Sequence, residues 1–206
     1  DPIDNYFENF TTYNSQYLPN CWSKIISSTA EYPRVQVNTF RKDVELHNST
    51  DTNTTAILVS PLLSNLGNAT HRVKFKARGE NERLIIGIMT DKDEASTFVP
   101  LQTIELSDSM TEYTYNFTTP NNSKFIGFKH GNNREESTIV IDDFYWGQIP
   151  TSLPLCVEEL VIETNDLCGN SPTKLSWINA SDSDSYKIFI GSQPGTYNII
   201  NGNNIG

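Results

Sequence analysis

The chain is short of cysteine, of basic residues and of long apolar runs, and each shortage excludes something. Three cysteines, Cys21, Cys156 and Cys168, are too few for a disulfide framework, and no Cys-x-x-Cys pair offers a zinc or redox site. A bridge between Cys156 and Cys168 and a set of free thiols both stay open. Lys and Arg number 15 against 25 Asp and Glu, a formal net charge of −10. Residues 1–150 carry 13 basic and 19 acidic side chains (−6), and residues 151–206 carry 2 and 6 (−4), so neither part has the basic excess of a nucleic-acid binder. No window approaches the roughly 18 apolar residues of a membrane helix. The start, Asp1-Pro2, is unlike a signal peptide, so the expectation is an internal or mature piece of a larger polypeptide.

Catalytic signatures are missing as well. There is no Gly-x-Ser-x-Gly elbow, no His-Glu-x-x-His pair and no glycine-rich phosphate loop. The three histidines, His47, His71 and His130, lie in unrelated segments. The expectation is that this chain is not an enzyme, and that any activity sits elsewhere in the parent protein.

What the chain has is strands. His71 to Arg78 alternates, with Val73, Phe75 and Ala77 on one side and basic residues on the other. Leu84 to Met89 is an apolar run broken by Gly87, suited to a central strand. Tyr113 to Phe117 alternates and stops at Pro120-Asn121-Asn122, and Phe125–Phe128 and Ile139–Trp146 follow as two more strands. No stretch of ten residues holds a helical period, so the protein is all-β. Seven Asn-x-Ser/Thr sequons, at Asn9, Asn48, Asn53, Asn68, Asn116, Asn121 and Asn179, fit chance in so Asn- and Thr-rich a chain better than glycosylation.

Near the start stands Phe7-Glu8-Asn9-Phe10, and near the last strand of this series Ile141-Asp142-Asp143-Phe144. In a jelly-roll β-sandwich the terminal strands lie side by side, which would bring Glu8 to the Asp pair. Calcium takes six to eight oxygen ligands, so Glu8 with Asp142, or with Asp143 as second choice, would supply only part of a Ca2+ site. Neighbouring strand residues face opposite ways, so only a bulge lets both Asp residues share a face with Glu8. Solvated strand-end carboxylates are the plain alternative. Asp91-Lys92-Asp93-Glu94 falls short of a calcium loop and reads as a hairpin closure in which Asp91 bonds its own backbone. Asp182-Ser183-Asp184 reads as an ordinary turn.

For a ligand, Lys129, His130 and Arg134 form the best-placed polar cluster, at a strand end and the following loop. The stripe Arg72, Lys74, Lys76 and Arg78 could hold an anionic polysaccharide, although charged strand faces are more often solvated. Trp22 reads as core.

The composition shifts at Gly147-Gln148-Ile149-Pro150-Thr151-Ser152-Leu153-Pro154. This divides the chain into a jelly roll over 1–148, a linker over 149–155 and a second module over 156–206. Strands are expected around Leu160–Ile162, Leu175–Trp177 and Tyr186–Ile190. A Trp after an apolar strand, followed by a Tyr-rich strand, is how a fibronectin type III-like sandwich begins. Such immunoglobulin-like domains need about seven strands and roughly 100 residues, so this one would be partial and residues 191–206 would lack partners.

Five motifs occur in order: Leu18-Pro19-Asn20-Cys21-Trp22, Val59-Ser60-Pro61-Leu62, Gly87-Ile88-Met89-Thr90-Asp91, Thr97-Phe98-Val99-Pro100-Leu101 and Ile141-Asp142-Asp143-Phe144. Together they resemble the MAM-like jelly rolls of the cleaved-adhesin or choice-of-anchor J type, over about residues 5–148. The resemblance implies a calcium-stabilised, non-catalytic adhesion module of a secreted or cell-surface bacterial protein using type IX secretion. It would bind carbohydrate or a surface or extracellular protein, on a sandwich face or its loops, where Tyr32, Phe40, Phe98 and Trp146 are further candidates. Membrane insertion and nucleic acid are not implied; other domains of the same polypeptide are. The alternative is a structural spacer or accessory domain of a secreted enzyme, a glycoside hydrolase or a peptidase.

Overall fold

A computed structural model describes residues 2–117 and 122–150, together with the backbone of four later strands. The chain divides into two compact units, residues 1–149 and 150–206.

The first unit is a sandwich of two antiparallel sheets. One holds β1 (Tyr6–Glu8), β3 (Arg34–Asn38), β4 (Asp43–His47), β6 (His71–Arg78), β9 (Thr111–Asn116) and β11 (Thr138–Gln148). Its order is β3-β4-β11-β6-β9, with β1 also paired to β11. The other holds β2 (Ser23–Ser27), β5 (Thr55–Val59), β7 (Arg83–Met89), β8 (Val99–Glu105) and β10 (Phe125–His130), in the order β2-β5-β10-β7-β8. The helical turns among the described residues are Leu66–Asn68 and Ala95–Thr97.

Alternation decides which side chains meet between the sheets. Along β6 every second residue is buried, so Val73, Phe75 and Ala77 enter the core while Lys74, Lys76 and Arg78 stay outside. From the facing sheet come Leu84, Ile86, Ile126 and Phe128. Phe128 meets Phe75 edge-on at 4.9 Å, and Trp22 meets Phe144 edge-on at 5.0 Å. Each such ring or aliphatic chain contributes about 1.5–3 kcal/mol when fully buried. Trp22 is a core residue, 7% exposed.

A second, smaller apolar layer lies on the outer side of the β2-β5-β10-β7-β8 sheet. Ile57, Val59, Met89 and Phe125 are buried there with Phe98 packed against them. Phe98 reaches this layer because Gly87 and Gly127 leave room: a Cβ on Gly87 would stand 2.6 Å from its ring, and one on Gly127 2.9 Å.

In the second unit β12 (Glu158–Glu163) pairs with β13 (Lys174–Ile178), and β14 (Tyr186–Ile190) pairs with β15 (Ile200–Ile205), both antiparallel. The strands read from the sequence are there, but the expectation of an unpartnered tail is overturned. Ile200–Ile205 pairs antiparallel with Tyr186–Ile190, while residues 191–199 lie outside the described residues. Cys156, Cys168 and Asp182-Ser183-Asp184 lie outside the described residues.

Candidate functional site

The carboxylates singled out in the sequence border one gap in the sheet, on different sides of it. β4 pairs with residues 138–141 of β11, and β1 pairs with residues 144–146. Because β6 occupies the other edge of β11, β1 and β4 share one edge and leave residues 142–143 unpaired between them. A bulge sits there. Asp142 stands opposite Lys76 and Tyr145 opposite Lys74, so Asp143 and Phe144 on β11 stand against Phe75 alone on β6, and Asp143 has φ 48°. The extra residue lets Ile141 and Phe144 both enter the core while Asp142 and Asp143 remain outside it. Asp143 pairs with Lys76 at 2.7 Å, and its backbone N–H donates to Asp142 Oδ1 at 2.8 Å. Asp142 is pushed up to about 6, by burial first and then by Asp143 and Asp43. Asp43, where β4 begins, is likewise raised by burial, against the pull of Arg41.

Glu8 pairs with Phe144 and so faces the core side. It accepts from Tyr6 Oη at 3.0 Å, Tyr13 Oη at 3.2 Å and the Phe10 N–H at 2.8 Å. Burial and this carboxylate together raise both tyrosines. Among the described residues no group of three or more His, Cys, Asp or Glu side chains is gathered to hold a metal.

Lys129, His130 and Arg134 do not form one surface. His130 is sealed inside, where Nδ1 accepts from the Asn132 N–H at 2.9 Å and Nε2 lies 3.3 Å from Ser137 Oγ. Burial pulls it down to about 4, so it is neutral at pH 7. Lys129 is on the outer side of its sheet, 5.9 Å above the Phe98 ring. Arg134 is half-exposed and spans Glu82, at 2.9 Å from Nε, and Glu80, at 3.2 Å from Nη2. Of the aromatic candidates, Trp146 is fully buried and stacks on His71 at 5.1 Å, while Tyr32 and Phe40 stand in solvent. Asn48 is also buried, bonded to Arg134 O and the Ser137 N–H, which removes it as a glycan acceptor. Asp91 accepts from the Asp93 N–H at 2.9 Å, closing its hairpin as the sequence suggests.

Arg134 instead belongs to an open cleft of about 430 Å³ on the outer side of the six-stranded sheet. Glu45 of β4, Arg78 of β6 and Thr138 and Val140 of β11 floor it; Arg41, Glu80, Asp108 and Glu136 stand around it. Arg41 forks onto Asp43, at 3.0 and 3.3 Å, and also bonds Glu45. Burial pushes the Glu45 carboxyl up, but donors from Asn38 and Arg41 outweigh it and the net shift is downward. Only Arg78 and Arg134 of this cleft stand out in the sequence. The signal for Glu45 is the alternation in Asp43-Val44-Glu45-Leu46-His47, where Val44 and Leu46 are core and the acids face outward.

No protein-family model and no curated protein sequence matches the chain. Solved structures do. The K1 cleaved-adhesin domain of Lys-gingipain from Porphyromonas gingivalis superposes with a TM-score of 0.55 at 14% identity, over 71% of this chain and 99% of that one. The sandwich shares its fold with that adhesin domain. The K2 cleaved-adhesin domain of Lys-gingipain follows at 0.52 and 14% identity, over 70% of this chain and 98% of its own. The CBM1 module of BiXyn10A, in its apo form, is similar at 0.50 and 16% identity, over 72% and 100%. This fold is the jelly-roll β-sandwich that the resemblance implied, within the all-β class expected from the strand pattern.

Proposed function

We propose that the sandwich is a non-catalytic binding module of a secreted or cell-surface protein, taking carbohydrate or a surface protein as ligand. The observation that carries this reading is the cleft: a concave, charged surface on a rigid sheet, open to solvent, with its floor fixed by three paired strands. The fold supports it, because the similar structures are adhesin domains and a CBM module. The test is retention of the 206-residue chain on a glycan array and on immobilised extracellular proteins. Binding to neither would favour the spacer reading, in which the sandwich only presents a neighbouring domain.

Calcium stabilisation is part of the same proposal. The gap beside the β11 bulge is bordered by the carboxylates of Asp43, Asp142 and Asp143 outside and of Glu8 at the core side, oxygen ligands of the kind a hard cation takes, although Lys76 already pairs with Asp143 and Arg41 with Asp43. The raised carboxyl of Asp142 supports it in part: burial is the larger cause, and the charges of Asp143 and Asp43 add a repulsion that a bound cation would relieve. Convergence is incomplete: Glu8 would have to turn from Tyr6 and Tyr13, and Asp143 from Lys76, to meet one ion. The MAM-like or choice-of-anchor J assignment, the type IX route and a fibronectin type III-like second unit belong to this reading too. They rest on the ordered motifs and on the order of strands after residue 150.

A further inference from the structure

Three guanidiniums border the cleft, and two are already engaged. Arg41 holds Asp43 and Glu45, and Arg134 holds Glu80 and Glu82. Arg78, the last residue of β6, makes no side-chain hydrogen bond or ion pair among the described residues, although it is half-buried in the floor. Asp108 and Glu136 at the rim are exposed and carry no side-chain bond among the described residues either. The hydroxyls nearby are occupied: Ser137 Oγ lies against Asn48, Arg134 O and His130, and Thr138 Oγ1 against His47. The unengaged groups are therefore one donor-only cation and two acceptor-only carboxylates.

That set discriminates between ligand charges. A carboxylated or sulfated sugar would gain at Arg78 but face Asp108 and Glu136, within a chain of net charge −10. A cationic ligand would meet Arg78 at the floor. An uncharged polyol suits all three at once, since each sugar hydroxyl both donates and accepts. Carboxylates take its O–H groups and a guanidinium gives to its oxygens, the charged partners making the stronger bonds. Among the described residues no aromatic ring lines the cleft, so a ligand there would be recognised through hydroxyl geometry rather than ring stacking.

We propose that the cleft binds an uncharged, hydroxyl-rich glycan, with Arg78 donating to its oxygens and Asp108 and Glu136 accepting from its hydroxyls. This rests on the binding-module reading and narrows it to one surface and one ligand class.

The experiment titrates the 206-residue chain with uncharged gluco-, manno-, xylo- and galacto-oligosaccharides and with oligogalacturonate, at low and high salt. The expected result is binding of at least one uncharged oligosaccharide, little changed by salt, and weaker binding of oligogalacturonate. Arg78→Ala and the pair Asp108→Asn with Glu136→Gln should each weaken it about tenfold or more. Melting curves matching the parent would place that loss at the ligand rather than the fold. A variant that melts early is replaced by Arg78→Lys, which keeps the charge and loses the fork, and should bind more weakly at the parent's stability. Undiminished binding in all variants, or preference for oligogalacturonate, overturns the assignment while leaving a binding module in place. Retention of no oligosaccharide overturns the assignment; if no protein is retained either, the binding-module reading falls with it.

Discussion

Arg134 donates from Nε to Oε1 of Glu82 at 2.9 Å, so a half-exposed guanidinium holds a carboxylate that is wholly sealed from solvent. The other oxygen, Oε2, is buried without a hydrogen-bond partner among the described residues. Breaking a buried pair from one side is costly, because the remaining charge is left without compensation. Arg134→Ala should therefore lower the melting temperature by several degrees, and adding Glu82→Gln should restore part of the loss. A thermal double-mutant cycle measures the coupling; additive effects would mean that the pair contributes nothing. For the same reason, weakened ligand binding in Arg134→Ala reports folding before it reports contact.

The two glycines beneath Phe98 separate backbone crowding from side-chain crowding. A Cβ on Gly87 would lie 2.5 Å from the Val99 carbonyl oxygen as well as 2.6 Å from the Phe98 ring, whereas one on Gly127 meets the ring at 2.9 Å and Met89 Sδ at 3.1 Å. Each alanine substitution should destabilise by about 1–3 kcal/mol, the usual cost of overpacking. In a Phe98→Ala background Gly127→Ala should become nearly neutral while Gly87→Ala stays costly, because a strand carbonyl cannot step aside. Urea denaturation of the five variants, Phe98→Ala included, checks this, and equal rescue of both glycines would contradict it.

Periodicity made part of this molecule legible. His71–Arg78 shows its core face in a strict alternation, and the apolar runs before Met89 and from Phe125 gave two central strands of the opposite sheet. The Asp142-Asp143 pair shows why the site was harder. A bulge adds one residue without changing composition, so the sequence carries the condition for a shared face and no sign of whether it is met. His130 misled for a related reason. As the last residue of β10 it looks like a loop histidine, yet the chain from Asn132 to Ser137 folds over it and leaves it fully buried. The cleft joins β4, β6, β11 and four loops, which only the sheet order β3-β4-β11-β6 brings together.

Acid should act on His130 and Asp142 in opposite directions. His130 ionises at about 4 in the fold against an ordinary 6.5, so the unfolded chain takes up its proton first. Its contribution is intact above 6.5 and is lost as the pH falls towards 4. Asp142, at about 6 against 3.8, is protonated first in the fold. Its contribution is full below 3.8 and is lost as the pH rises through 6. The two offset one another between about 4 and 6. Asp142→Asn removes one side, so the melting temperature of that variant should fall more steeply over this range than that of the parent. Parallel curves would mean that Asp142 titrates normally.

Calcium would change that balance, which makes it separable from the carboxylates' own behaviour. An ion that binds only the folded protein stabilises it by mass action, about 2.7 kcal/mol at a hundredfold excess over Kd. For a chain of this length that corresponds to roughly 5–10 °C in melting temperature. Saturating calcium should therefore raise the midpoint and EDTA should lower it. A bound cation would also hold Asp142 ionised and remove its acid-side contribution. Asp142→Asn and Asp143→Asn should each blunt the response. Glu8→Gln should blunt it only if Glu8 leaves Tyr6 and Tyr13 to join the ion; otherwise that change disturbs the tyrosine bonds alone, equally with and without calcium. A midpoint indifferent to both calcium and EDTA would leave Lys76 as the cation that serves Asp143, and the bulge as a device of packing that returns Phe144 to the core.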